Sequence, residues 1–330
     1  MTVPSSPKAS GTTVHCPACR EDRVRPWATK NGYAILKCRL CGHGFVNPPP
    51  VPEVQAALYA EHGHGGTQDD NTVNYILKNE RRFPNSTLDA SRMVAGAASM
   101  LGRARKGEES GTMLDIGCGY GFTSRVAAMA GFQVTALEPV SFEHQVASAI
   151  TGFEPLPVSF ESYEEKEKFD VVIMSQVIEH ALDINLWVAK AWRLLNDDGV
   201  LVLAMPNFEN IVCVLFRERD PYVSPPQHLN YFTTKSIAVL LRRHGFDVVR
   251  VEGISRLGPR TTLKRLPRLP QSPAIIGAVR MLQDFPFKVC GWFGFPIMLN
   301  VYARKFGVAA KTEHISRVPT YAGKRLWRKS

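Results

Sequence analysis

The sequence predicts an α/β protein: a doubly wound, mostly parallel sheet of seven strands, preceded by a small cysteine-rich module. Three observations carry this. Short apolar runs alternate with helical patterns between residues 112 and 253, as repeated strand–helix–strand units require. The first of these runs, TMLDI, carries Asp115 and breaks into Gly117-Cys118-Gly119-Tyr120-Gly121, and a second acid, Glu138, closes the next run. Four cysteines near the start, Cys16, Cys19, Cys38 and Cys41, are spaced C-x2-C-x18-C-x2-C.

Taken in order, residues 1–13 are rich in Ser, Thr, Pro and Gly and are expected to be disordered. Residues 14–47 form the cysteine module. Each C-x2-C lets two thiolates bind one ion from a single turn, and two such turns complete a closed tetrahedral site for structural Zn2+. Pro17 stiffens the first turn, Gly42 gives the second a permissive backbone, and YAILKC (33–38) alternates as a short strand should. His15 and His43 flank the two turns. Four cysteines already satisfy zinc, so both histidines are expected at the surface or behind the ligands. Cys118, Cys213 and Cys290 are scattered, which argues against a disulfide framework. NPPPVP (47–52) stops the ribbon, and residues 48–110 read as a helical linker and lid. The lid is HGHGGTQDDN (62–71), a mobile loop; Tyr75 and Arg82 follow on a helix, and 91–104 shows helical apolar spacing.

The sheet domain is expected over 111–254. Its strands fall at 112–117, 132–138, weakly at 153–159, then at 169–175, 199–205 and 246–253. Helices fall at 121–130, 141–150, 183–195 and 234–244, and 207–233 reads as a long irregular segment. Residues 255–305 form a pocket-wall insertion and a last strand (297–304). Residues 306–330 are a basic tail.

The turn after the first strand narrows the ligand. Glycine lets backbone N–H groups approach a bound molecule, and an acid at the tip of the next strand can hold a ribose diol. The dinucleotide fingerprint is G-x-G-x-x-G/A, but here the spacing is G-x-G-x-G and Phe122 stands where its third glycine would be. Asp115, inside the strand, is a poor neighbour for phosphate and suits a cation or an amino group.

LDIGCGYG resembles the first motif of class I S-adenosylmethionine-dependent methyltransferases, hydrophobic-Asp-hydrophobic-Gly-x-Gly-x-Gly, at every defined position. The resemblance continues through KFDVVIMSQVIEH (168–180), whose Glu-His pair is similar to that of ubiquinone-type O-methyltransferases, and through DDGVLVLAMPN and HLNYFTTKSIAVLLRRHGFDVVRVEG. The ribbon and its exit resemble the N-terminal zinc-binding segment of bacterial methyltransferases acting on glycans and secondary metabolites. The resemblance implies a Rossmann-like fold with S-adenosyl-L-methionine across the strand ends. Asp115, Gly117, Gly119, Tyr120 and Gly121 would meet the methionyl part. Glu138 and Pro139 would meet the ribose, Ser159 and Phe160 the adenine, and Ser175 and Gln176 the transferring methyl.

Methyl transfer from a sulfonium is an in-line displacement, for which the protein supplies alignment and, for a hydroxyl acceptor, a base. His180 and His228 are the two candidates, since an unperturbed histidine has a pKa near working pH. Tyr222, Tyr231 and Phe232 can stack on an acceptor ring. The expected reaction is O-methylation of a small molecule, sugar or glycan or lipid-linked acceptor. An RNA methyltransferase gripping its substrate with ribbon and tail is the alternative enzyme. A zinc-ribbon interaction protein with a vestigial cofactor fold is the non-enzymatic alternative.

Charge and hydropathy bound the partners. The positive charge behind the net +10 of the chain sits in residues 255–330, which hold 15 Lys+Arg against 2 Asp+Glu, whereas the rest carries 25 against 28. A near-neutral core disfavours nucleic acid as the partner, although a basic tail can bind it. AIIGAVRMLQDF (274–285) has an amphipathic pattern compatible with peripheral membrane contact through 274–299. No apolar run reaches bilayer length and no charged-then-apolar leader opens the sequence, so a cytoplasmic protein is expected.

Overall fold

A computed structural model describes residues 14–55, 57, 70–82, 84–102, 111–254, 285 and 289–306. The expected disordered start, all but the last two residues of the lid at 62–71, nearly all of 255–288 and the tail from 307 lie outside the described residues.

The ribbon is an antiparallel meander of β1 (Val24–Lys30), β2 (Tyr33–Cys38) and β3 (Gly44–Val46). Asn31-Gly32 forms the first turn with both φ angles positive, 52° and 81°, which matches the right-handed twist of a two-residue hairpin. Two helices follow, α1 (Asp70–Arg82) and α2 (Asn85–Leu101). The latter buries Ala90, Met93, Val94 and Ala97, the i, i+3, i+4 stripe of an amphipathic helix, and stops at Gly102 in the left-handed region.

The α2 stripe meets the sheet closely. A Cβ on Gly96 would lie 2.6 Å from the ring of Tyr302, which is fully buried, its hydroxyl donating to Glu252 at 3.2 Å. Alanine is the better helix former by about 1 kcal/mol, but overpacking a fixed ring costs about 1–3 kcal/mol. Gly96→Ala is therefore expected to lower the thermal midpoint. A midpoint raised in a melting experiment would show that the ring gives way.

The main domain runs β4 (Gly111–Ile116), α3 (Phe122–Met129), β5 (Phe132–Leu137), α4 (Ser141–Thr151), β6 (Phe169–Ser175), α5 (Ile184–Leu194), β7 (Leu195–Pro206), α6 (Ile211–Phe216), β8 (Asn230–Tyr231), α7 (Thr234–Arg243), β9 (Phe246–Ile254) and β10 (Met298–Lys305). The sheet order is β5-β4-β6-β7-β10-β9. The first four strands are parallel, and β10 is antiparallel to both its neighbours. Strands buried on both faces explain the unbroken apolar runs: Val171, Val172, Ile173 and Met174 are all fully buried. Asp183 caps α5 through the N–H groups of Asn185 and Leu186, and Thr233 and Ser236 form a capping box on α7.

Three expectations are corrected. The sheet has six strands among the described residues: the weak third strand is reduced to a bridge between Leu137 and Leu156. Strand β7 starts at Leu195, four residues early, because the chain passes from helix to strand without a turn. The segment 207–233 is not irregular throughout; it contains α6, a short 3-10 turn (Arg217–Arg219) and β8. Strand β8 leaves the main domain and pairs with β3, making the ribbon a four-stranded sheet, β1-β2-β3-β8. No helix among the described residues is long and apolar enough to cross a membrane.

Candidate cofactor and acceptor site

The parallel strands β4, β5, β6 and β7 end on one edge, and the predicted site residues follow them. Gly117, Gly119 and Gly121 have φ of 62°, 56° and 76°, and each is glycine for its own reason. A Cβ on Gly117 would meet Val177 at 2.9 Å, and one on Gly121 would meet Thr151 at 2.7 Å, so both permit close packing. A Cβ on Gly119 would meet nothing within 4 Å; there the turn faces open space. Tyr120 sits beside this opening with its ring against Phe142, centroids 6.3 Å apart.

The two acids are held differently. Asp115 is buried and accepts a 2.6 Å hydrogen bond from Ser124 Oγ, which ties β4 to the first turn of α3. Burial lifts its carboxyl to about 6, against the pull of Ser124. Glu138 accepts the Gly119 N–H at 2.8 Å on one oxygen and the Val140 N–H at 2.9 Å on the other. It clamps the glycine turn to the end of β5, and burial lifts it to about 7. Each carboxylate oxygen offers two lone pairs, so Glu138 retains acceptor capacity on both oxygens. Pro139 beside it is exposed.

Other predicted residues fall less evenly. Ser175 is half-buried at the end of β6, and Gln176 is exposed with φ 61° and its N–H on the Ala204 carbonyl. Ser159 is engaged with Ser162. The Phe160 ring does not flank an open site: it is buried edge-on against Trp187, centroids 5.3 Å apart. Phe232 is buried against His43, its ring not offered to a ligand, and Tyr231 is buried as well, stacked on Phe208. Tyr222 remains half-buried.

The two histidines, 48 residues apart in sequence, are neighbours. Their rings are perpendicular with centroids 4.8 Å apart. His228 Nδ1 lies 2.7 Å from the Tyr222 carbonyl. A carbonyl only accepts, so Nδ1 carries the proton and Nε2 is left with its lone pair. Burial holds the imidazole below its ordinary pKa, with Asp220 acting in the opposite sense. Beside the pair, Glu179 is buried, pushed up to about 8 by desolvation, and neither of its carboxyl oxygens has a hydrogen-bond partner among the described residues. Its carboxyl and the two imidazoles present ligand atoms within 4.8 Å of one another.

A small cavity opens beside His228, lined by Asn207, Asn210, Asp220, Tyr222 and Tyr231. Sequence reasoning missed its frame. Asp220 is buried, accepts from Asn210 Nδ2 at 2.6 Å and from the Tyr222 N–H at 2.9 Å, and so fixes the loop that presents the Tyr222 carbonyl. The Asn-x-x-Asn spacing at 207 and 210, a run of amide side chains directly after an apolar strand, was the available signal.

The four cysteines form a second cluster. Their sulfurs lie within 4.8 Å of one another, with Cys16–Cys41 and Cys19–Cys38 each at 3.6 Å. Metal–sulfur bonds of about 2.3 Å in a tetrahedron put the sulfurs about 3.8 Å apart, so the spacing fits a closed zinc site. The hydrogen bond from Cys41 draws the Cys16 thiol below its ordinary pKa, and Cys41 is driven up in turn. Gly42 has φ 79°, as the second turn requires. His43 is not at the surface. It is wholly buried between Phe45 and Phe232, and desolvation drops its pKa to about 3.

Residues 90–251 match the family described as a methyltransferase domain. The chain is similar to the ubiquinone biosynthesis O-methyltransferase of Rhodopseudomonas palustris (strain HaA2), 30% identical over 29% of this chain and 40% of the relative. It is also similar to that of Caulobacter vibrioides, 34% identical over 32% of this chain and 45% of the relative. The chain thus spans less than half the length of the curated relatives it matches. The solved structure of the Burkholderia thailandensis 1,6-didemethyltoxoflavin-N1-methyltransferase, bound to 1,6-didemethyltoxoflavin and S-adenosylhomocysteine, aligns over 86% of this chain and 99% of its own with a TM-score of 0.47 and 17% identity. Residues 90–251, just under half of the chain, thus match a methyltransferase domain, and the aspartate-bearing first strand, its glycine turn and the Glu138 clamp lie inside that span.

Proposed function

We propose that the chain transfers a methyl group from S-adenosylmethionine to a hydroxyl of a small molecule, sugar or glycan or lipid-linked acceptor, with His228 as the base. The observation that carries this reading is the Glu138 clamp. Its two oxygens hold the turn through Gly119 and Val140 while keeping lone pairs for the two hydroxyls of a ribose, and the turn is open above Gly119. When bound, the cofactor supplies an activated methyl on a sulfonium. The chain's own residues do the rest. Asp115, one oxygen bonded to Ser124, places negative charge beneath the turn where a cationic ligand lies best. Ser175 and Gln176 border the strand end facing the acceptor. His228 Nε2 takes the hydroxyl proton as the acceptor oxygen attacks in line, and the Tyr222 carbonyl stabilises the imidazolium that forms. His180, perpendicular to His228, is the second base candidate. A structural Zn2+ held by Cys16, Cys19, Cys38 and Cys41 completes the proposal, as does a cytoplasmic setting.

Isothermal titration tests the core of this reading. S-adenosylmethionine and S-adenosylhomocysteine are expected to bind the full chain with one-to-one stoichiometry. Absence of binding by either would instead favour an interaction protein with a vestigial cofactor fold.

A further inference from the structure

The ribbon is built into the acceptor side of the catalytic domain. Both cysteine turns point their backbone carbonyls at it. In the first turn the Pro17 carbonyl accepts from Asn185 Nδ2 at 3.1 Å and the Ala18 carbonyl from Arg243 Nη1 at 2.6 Å. In the second the Leu40 carbonyl accepts from Lys235 Nζ at 2.6 Å and the Cys41 carbonyl from Thr233 Oγ1 at 3.0 Å. The same Thr233 hydroxyl accepts the Ser236 N–H at the start of α7. Strand β3 then pairs with β8, and the Val46 N–H reaches the Leu229 carbonyl at 3.0 Å, one residue past His228.

From β8 the ties run on to the second histidine. The Leu229 N–H donates to the Glu179 carbonyl at 2.8 Å, and Asn230 Nδ2 to the Ala181 carbonyl at 2.7 Å, so the turn bearing His180 hangs on the same strand. The far side of the ribbon grips the rest of the segment. Trp27 packs on Phe208 with centroids 4.8 Å apart, Lys30 Nζ reaches the Asp220 carbonyl at 3.2 Å, and Asn31 Nδ2 reaches the Pro225 carbonyl at 2.7 Å. Among the described residues these bonds run to 185 and to 207–243, and none runs to the turn at 117–121.

We propose that the metal-loaded ribbon is the clamp that holds residues 207–233, and with them His228, in the working conformation, so that cation occupancy of the four cysteines controls the acceptor half of the site and not the nucleoside half. The four sulfurs lie within 4.8 Å of one another. One divalent cation neutralises them, fixes both turns and thereby the four carbonyls that α5 and α7 hold. Release of the cation frees the turns and the β3–β8 pairing, and order is lost where the ribbon was the support. The proposal rests on the functional reading above for the meaning of the acceptor half.

The test is hydrogen exchange on the full chain, zinc-loaded and after chelation under reducing conditions, with titration of S-adenosylhomocysteine on each form. On chelation, protection at 207–233 and 178–181 is expected to fall on the order of tenfold, while β4 and β5 keep theirs and nucleoside affinity is unchanged. Zinc addition restores the loaded pattern. Unaltered protection at 207–233 after metal loss overturns the proposal, and so does equal loss throughout β4 and β5. Trp27→Ala leaves the four ligands intact. It is expected to retain one zinc per chain and still loosen 207–223, and unchanged exchange there counts against the clamp. Failure of the loaded protein to bind the nucleoside would sink the functional reading alone, because the exchange pattern is read without it.

Discussion

Glu138→Ala is expected to weaken S-adenosylhomocysteine binding by about 10²–10³-fold, the largest loss from any single change at the nucleoside end. Two hydrogen bonds to one carboxylate disappear, those from Gly119 and Val140, together with the acceptors offered to the ribose. Bonds to a charged group contribute about 1.5–3 kcal/mol each, and part of that is recovered by water entering the gap. A surviving loss of about 3–4 kcal/mol corresponds to the stated factor. The pH profile gives an independent check. Burial raises Glu138 to about 7 in the ligand-free chain, and a hydroxyl donates best to the ionised form. Affinity should therefore rise as pH passes upward through about 7 and then level off. The variant should show no such step. Calorimetry at several pH values reads both effects, and an alanine variant of near wild-type affinity would remove Glu138 from the ribose.

His228→Ala should lower kcat by about 10²–10⁴-fold, the usual span for a positioned base, while nucleoside affinity holds. The lowered pKa sets the sign of the pH dependence. A base kept neutral by burial stays competent into more acidic solution than a free imidazole, so the acid limb of kcat should lie below about pH 6.5. His180→Ala is the discriminating partner, since the two rings touch. Should the large loss and the vanished acid limb follow His180 instead, His228 becomes the positioning group. Single-turnover conversion of bound cofactor with a working acceptor measures this without interference from product release.

The candidate cofactor turn was legible as a strand, a glycine turn and a clamping acid because its geometry is local. Asp115 and the glycines fall within seven consecutive residues, and Glu138 is fixed by one strand–helix–strand unit. The cysteine turns were legible for the same reason, and the strand over 33–38 was placed to the residue. What escaped depends on contacts distant in sequence. Nothing in YF at 231–232 says that one ring stacks on Phe208 and the other on a buried histidine; that follows from β8 pairing with a strand some 185 residues earlier. Phe160 looked free because it follows a weak strand, but Trp187 on α5 claims its ring. Asp220 was invisible because a buried acid that serves only backbone and amide donors carries no spacing signature. The third strand failed because only Leu156 finds a backbone partner on β5, through a single bridge.

Strand β10 carries a consequence for how the protein is made. It is the last strand among the described residues, yet it lies inside the sheet, bonded along its length to Val200–Pro206 on one side and to Phe246–Ile254 on the other. During synthesis β7 and β9 are complete long before residues 298–305 leave the ribosome, and until then both present open edges with no partner between them. The final assembly of the domain waits on its carboxyl-terminal portion. Translation that stalls before residue 298 leaves a nascent chain with two sticky borders, a natural client for chaperones.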